Sequence, residues 1–292
     1  MSPHTIERVQ PWLGTWVSIA VDNGRESVVQ RAITAAFSEI AAIHRLMSFH
    51  ETDSDVSRAN RDAARVAVKI HAKTAAVIER AQAIARASAG VFDITVGGRL
   101  AVRRLLTPPP GAPKPATDAS WEDIEVSTNI LRFRKPLWID LGGIAKGYAV
   151  DCAMALLTEQ LQGQAVSRMR INAGGDLRVA GSERIALRVP WASDTIAQME
   201  LEDGSLASSC AHEQRQRLRG RLVGPHLDGR SGRGVGAHSF VSVVAEQCLV
   251  ADALTKVVLA RGMHAKTVLT AFGATAYLYS RRVGWRRVGS AE

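Results

Sequence analysis

The sequence predicts an α+β fold, with mixed and antiparallel sheets and helices around a cleft. Three observations predict it. Several stretches alternate apolar and polar residues as half-buried strands do, others place apolar residues at helical spacing, and the two kinds follow one another without a strict strand–helix–strand alternation. Within the 292 residues, 46% are hydrophobic and 22% charged, enough to bury a large core without covalent staples. One unit is expected over 1–292, with a core from 10 to 285.

"TWVSIAV" has the alternation of a strand. Residues 25–47 set Val28, Ile33, Phe37, Ile40, Ile43 and Met47 near helical spacing, which predicts an amphipathic helix. Residues 48–63 are polar and turn-rich. Residues 71–88 are alanine-rich and helical, with Gly90 as the stop. "VFDITVGG" reads as a short extended piece, and the proline-rich 107–120 as a surface loop. "IEVSTNILRFRK" predicts a hairpin, "WIDLGG" a strand ending in a glycine loop, and Lys146 to Leu161 a helix. "MRINAGGDLRVAG" predicts strand, glycine turn and strand. "RIALRVPW", "AQMELEDGSLASSC" and "HSFVSVVAEQC" alternate as strands, and "LVADALTKVVLARG" is a helix stopped by Gly262. From Thr267 onward the pieces look strand-like.

The formal net charge is +9, but the arginines are dispersed and the densest basic piece, "HEQRQRLRGRLVG", contains no aromatic on which bases would stack. A nucleic-acid partner is therefore not expected. Three cysteines, none in a CxxC pair, give neither a disulfide framework nor a cysteine zinc site. Glu7, Arg8 and Gln10 interrupt any apolar signal core, and no apolar run reaches the ~18 residues of a membrane helix. The expected location is cytoplasmic, or periplasmic if the start is misassigned.

Chemistry concentrates in "WIDLGGIAKGYAVD". Asp140 ends an apolar run, where a carboxylate without partners is costly. Gly142 and Gly143 allow close backbone approach, and a helix N-terminus with Lys146 follows. This suits a phosphate or other anion, although a strand-to-helix turn capped by Asp140 explains the same residues. "FDITVGG" adds Asp93, and "INAGGDL" adds Asp176 beside a glycine turn that also reads as a plain hairpin. "VADALTKVV" puts Asp252, Thr255 and Lys256 on one helical face, where aspartate and threonine oxygens suit Mg²⁺ or where Asp252 and Lys256 pair on the surface.

In their order, "LGT", "MSFHETDSDVSRAN", "GVFDITVG", "IDLGGIAKGYAVD", "INAGGDLRVAG" and "ADALTKVVLARG" resemble the ApbE family of FAD:protein FMN transferases, from Leu13 to Gly262. The resemblance implies FAD as substrate, Mg²⁺, and transfer of FMN to a threonine or serine hydroxyl of an acceptor protein with release of AMP. The acceptor would carry a Ser/Thr-Gly-Ala-Thr-like motif. A relative that only binds FAD, or hydrolyses it to FMN and AMP, is the alternative. Carried over by motif, Asp140 and Lys146 hold FAD, with Val91, Phe92 and Asp93 in contact with it. Leu13 stands where the family usually has methionine, and Met47 begins the segment over the flavin. Gly143 and Asp252 bind the metal, and Thr255 lies in the metal-binding turn.

Three departures qualify the match. Many relatives carry a "SHIIDPRTG"-like segment whose histidine serves the chemistry, and here the segment is "GPHLDGRSG". Aligned without a gap, Pro225 takes the histidine place. With one deletion His226 does, and His226 is the catalytic candidate. The proline of "DPRTG" is Gly229. Lys256 stands where relatives often have threonine, so its ammonium either opposes the metal, replaces part of its charge, or turns outward and leaves Thr255 as ligand. A "TSGDY"-like stretch is "ASSCAHEQ", which brings Cys210 and His212 near the site.

Overall fold

The computed structural model describes residues 4–210, 216–218, 221–235 and 239–289. From the N-terminus, β1 (Thr5–Trp12) and β2 (Thr15–Asn23) lead into α1 (Glu26–Met47) and α2 (Asp55–Asp62). Next come β3 (Val68–Lys69), α3 (Ala72–Ala87), α4 (Gly97–Val102), β4 (Ile124–Ser127), β5 (Ile130–Phe133) and α5 (Ala145–Gln160). Then follow β6 (Val166–Ala173), β7 (Asp176–Ala180), β8 (Ser182–Val189), β9 (Ala192–Glu202), β10 (Ser205–Cys210), β11 (Gln216–Leu218) and β12 (Arg221–Val223). The last elements are β13 (Ser239–Ala245), α6 (Cys248–Arg261), α7 (Lys266–Ala271), β14 (Thr275–Ser280) and β15 (Gly284–Gly289).

Among the described residues, one antiparallel sheet runs β1-β2-β6-β7-β10-β13-β14-β15. Strands β3, β5 and β4 make a small second sheet, and β8-β9 and β11-β12 are hairpins. The architecture is α+β. No described helix is long and apolar enough to cross a membrane.

The helices follow from their apolar spacing. α1 buries Val29, Ile33, Phe37 and Ile40 against Val17 and Ile19 of β2 and Val150, Met154 and Leu157 of α5. Each such side chain contributes roughly 1.5–3 kcal/mol of apolar burial. α6 is apolar on nearly every face, so it runs through the core, packed on α3, α5 and the sheet. The two polar side chains buried on it, Asp252 and Thr255, are fully inaccessible to solvent.

The α5–α6 approach depends on two residues of the "AKGYAVD" run. A Cβ at Gly147 would collide with the carbonyl of Cys248, so only glycine lets the helices come this close. Asp151 accepts hydrogen bonds from the Cys248 amide at 3.0 Å and the Leu249 amide at 2.9 Å. A side chain of α5 thus satisfies two free donors at the start of α6 and anchors Asp252 one turn further on.

Four local expectations change. The polar 48–63 stretch contains α2, because Ser54 accepts from the Ser57 amide at 3.0 Å and starts a helix. "VFDITVGG" is not extended: Asp93 caps a 3₁₀ turn, Ile94–Val96, that runs into α4. Trp138–Asp140 is not a sheet strand. Its extended backbone pairs instead with the side chain of Asn60, which donates to Ile139 O at 2.9 Å and accepts from Ile139 N at 2.7 Å. The "strand-like" Thr267 segment begins as α7, which buries Val268 and Leu269. β1, unassigned in the sequence reading, pairs with β2 along its length.

Candidate active site

A cavity of about 370 Å³ opens where the starts of α4 and α5, the β6–β7 turn, the end of β10 and the 225–227 loop converge. Val91, Phe92, Asp93, Asp140, Gly142, Gly143, Lys146 and His226 all line it, together with Ser209, Cys210, Pro225 and Lys256. Its dimensions fall within the range of small-molecule sites.

The floor is a charge cluster. Lys146 Nζ lies 2.6 Å from Asp176 Oδ2 and 3.5 Å from Asp252 Oδ2. Lys256 Nζ bonds Asp252 Oδ1 and reaches the Asp252 carbonyl at 3.0 Å. The pair is therefore not a surface ion pair, since the Asp252 carboxylate has no exposure and Lys256 only 14%. Burial pushes Asp252 up, but Lys146 and Lys256 outweigh it and hold the carboxyl below its ordinary range. Asp176 lies above that range because burial and then the Asp252 charge disfavour its anion. Burial also works against the Lys146 ammonium, and Asp176 and Asp252 outweigh it, so Lys146 stays charged. Thr255 Oγ1 donates to the Asp252 carbonyl at 2.7 Å and pairs with Ser209 Oγ at 2.8 Å.

The wall is a set of turns. Asp93 Oδ1 accepts from the Thr95 amide and hydroxyl, both at 2.8 Å, and Asp93 Oδ2 from the Trp121 amide at 3.3 Å. Asp140 Oδ1 accepts from the Gly142 amide at 3.0 Å, and burial raises its carboxyl above the ordinary value. The 228–232 loop is clasped from α4, with Arg99 bonding the Gly229 carbonyl and Arg103 the Gly232 carbonyl at 2.6 Å. Gly229 fills the place of the expected proline for a steric reason. A Cβ there would sit 2.5 Å from Asp93 Cβ and collide with the Gly90 carbonyl. His226 bonds the backbone of Cys210, and burial together with the Lys256 ammonium holds the imidazole at about 4.

Of the residues singled out in the sequence, Val91, Phe92, Asp93, Asp140, Gly143, Lys146 and His226 meet at the cavity. Asp252 and Thr255 lie beneath its floor. Leu13 and Met47 are not among the lining residues. Leu13 adopts φ +56° in the β1–β2 turn and packs on two core clusters, while Met47 is buried at the end of α1. The β1–β2 turn still adjoins the site, because Thr15 packs against Gly174, a lining residue where any Cβ would clash. His212 and, with it, residues 213–215 and 219–220 of the basic "HEQRQRLRGRLVG" stretch lie outside the described residues. Sequence reasoning gave no part to Asp151 or Ser209 and left Asp176 a hairpin residue. The signal for Asp176 was its place in "GGD", next to glycines that bring the backbone to the cavity.

A model of the ApbE family matches residues 13–278. The chain belongs to the ApbE family. A relative named FAD:protein FMN transferase from Chlamydia pneumoniae is 26% identical over 238 residues, covering 72% of this chain and 73% of the relative. One of the same name from Vibrio cholerae is 25% identical over 246 residues, covering 74% and 69%. The fold is that of the ApbE protein of Thermotoga maritima, with TM-score 0.83, 24% identity and 98% and 97% of the two chains covered. The flavinyl transferase ApbE of Pseudomonas stutzeri follows at TM-score 0.81, 19% identity and 99% and 96% coverage. The Chlamydia, Vibrio and Pseudomonas proteins are transferases by name.

For this ApbE chain the expected Mg²⁺ ligands, Gly143, Asp252 and Thr255, do not fit the metal as they stand. Mg²⁺ demands near-octahedral oxygen ligands at ~2.0–2.1 Å. One Asp252 oxygen is taken by the Lys256 ammonium, and the other faces Lys146 and the Gly147 amide at 3.4 Å. The Thr255 hydroxyl is committed to Ser209 and the Asp252 carbonyl. The Lys256 stem lies 3.3 Å from where a Gly143 Cβ would project, so Lys256 stands between Gly143 and Asp252.

Proposed function

We propose that this chain transfers FMN from FAD to a serine or threonine hydroxyl of an acceptor protein, releasing AMP. The observation that carries the reading is the convergence, in one cavity, of two ammonium groups, Lys146 and Lys256, with the imidazole of His226. Phosphoryl transfer asks mainly for positioning and for neutralisation of charge on the phosphate oxygens. A pyrophosphate brings negative charge to a floor that holds two cations. In the step itself, the acceptor hydroxyl oxygen bonds the FMN phosphorus, the bond from that phosphorus to the bridging oxygen breaks, and AMP leaves with the bridging oxygen.

His226 is the group that takes the hydroxyl proton. Its depressed pKa keeps the ring neutral at neutral pH and so able to accept. The negative charge of a bound pyrophosphate raises the proton affinity of the ring and so favours the transfer. Val91 and Phe92, 1% and 5% exposed, give the cavity an apolar flank for the isoalloxazine.

The test mixes the protein with FAD and an acceptor carrying a Ser/Thr-Gly-Ala-Thr motif. Flavin fluorescence is read in the acceptor band of a denaturing gel, and AMP is quantified. A fluorescent acceptor with matching AMP is expected, and His226→Ala should lower the rate by about 10²–10⁴-fold. AMP without a labelled acceptor would make the protein a hydrolase, and neither product would sink the reading.

A further inference from the structure

We infer that Lys256 occupies the position expected of a divalent cation, so that the positive charge this site offers a dinucleotide pyrophosphate is built into the chain. The flavin part of this inference rests on the function proposed above; the occupancy of the cation position does not.

Three features carry it. Lys256 turns inward: its ammonium bonds both the carboxylate and the main-chain carbonyl of Asp252, an i,i+4 pair on a buried helix. Its side chain also lines the cavity, with the stem beside Gly143. The expected metal ligands are consumed by contacts within the protein, since Lys256 and Lys146 neutralise Asp252 from its two oxygens and Thr255 is tied to Ser209. A tethered ammonium is positioned by folding, and its carboxylate partner already compensates its lost hydration. A divalent ion entering beside it would meet like charge in a poorly screened pocket.

The outward orientation left open by the sequence would have kept Asp252 free for a metal. The inward one gives α6 a cation fixed by sequence. Ligand binding then has no requirement for a free divalent ion, and a pyrophosphate would share Lys146 and Lys256 with the carboxylates of Asp176 and Asp252.

The experiment has two independent arms. Mn²⁺ is titrated into the wild-type protein, alone and with FAD, and free Mn²⁺ is followed by electron paramagnetic resonance. FAD affinity is measured by flavin fluorescence in EDTA and in excess Mg²⁺. Wild type should bind no stoichiometric Mn²⁺ in either state, and its FAD affinity should agree within about twofold between EDTA and Mg²⁺. Lys256→Thr should lose about tenfold or more in FAD affinity in EDTA, recover it with Mg²⁺, and take up Mn²⁺. Lys256→Met, which keeps the stem without the charge, should lose affinity under both conditions. Stoichiometric Mn²⁺ on the wild type, or a tenfold gain in its FAD affinity with Mg²⁺, would overturn the inference. If wild type excludes Mn²⁺ and Lys256→Thr binds it, yet neither binds FAD, the cation replacement stands and the flavin reading falls.

Discussion

Asp252 and Asp93 are both buried aspartates at the same cavity, yet their surroundings act on them in opposite directions. Asp252, on the helical floor, faces two ammonium groups that hold its carboxyl low. Asp93, in the turn wall, meets amide and hydroxyl donors, and burial outweighs them and raises it. The floor uses its carboxylate to fix cations; the wall uses one to fix backbone. The first arrangement prepares charge for a reaction, while the second sets the shape around it.

The largest effect that would break this contrast is Lys146→Met. It strips the partner from Asp176 and part of the compensation from Asp252, which are 3% and 0% exposed as side chains. Removing one member of a buried pair costs about 3–5 kcal/mol. Denaturant melts should show a loss of this size, with flavin transfer abolished. Near-native stability would mean the floor is not an electrostatic unit.

Next in size is Gly229→Ala on the wall. Its Cβ has no space against Gly90 and Asp93, and overpacking of this kind costs roughly 1–3 kcal/mol. Thermal unfolding measures it, and an unchanged midpoint would show that the clasp from Arg99 and Arg103 gives way freely. Asp93→Ala should cost about 1 kcal/mol, as loss of a cap does, while Asp93→Asn retains an accepting oxygen and most of the stability.

The smallest effect is a pH shift. His226 accepts a proton only when neutral, and its pKa is lowered to about 4, so activity should fall as pH drops through that value, not near 6.5. The acid limb of kcat/KM for FAD reports the free enzyme. Lys256→Met should move that limb upward, because it removes one of three depressing influences and leaves burial and the Lys146 charge in place.

Much of the architecture was legible in order. The helical spacing of 25–47, the alanine-rich 71–88 segment and the glycine-stopped 248–261 helix all rest on local periodicity, which a sequence carries directly. α2 and the turn after Asp93 were missed because their starts depend on side-chain caps in polar or short runs that have no period. "WIDL" misled for a related reason. Its apolar run does signal burial, but its backbone partners are the Asn60 side chain, 79 positions away, and main-chain groups of Ile94 and Gly97.

The candidate site divides in the same way. The sequence by itself determined that a glycine-rich loop, a lysine and an aspartate–threonine helix exist at spacings suited to a phosphate. It also determined that Lys256 follows Asp252 by one helical turn, because i,i+4 proximity is a property of the helix alone. Only the tertiary structure decided that Lys256 points inward, that Asp176 joins Lys146 and Asp252, and that Asp151 starts the helix bearing the floor. Those outcomes depend on Gly147 admitting the backbone of α6, and on burial making each unpaired charge too costly to leave alone.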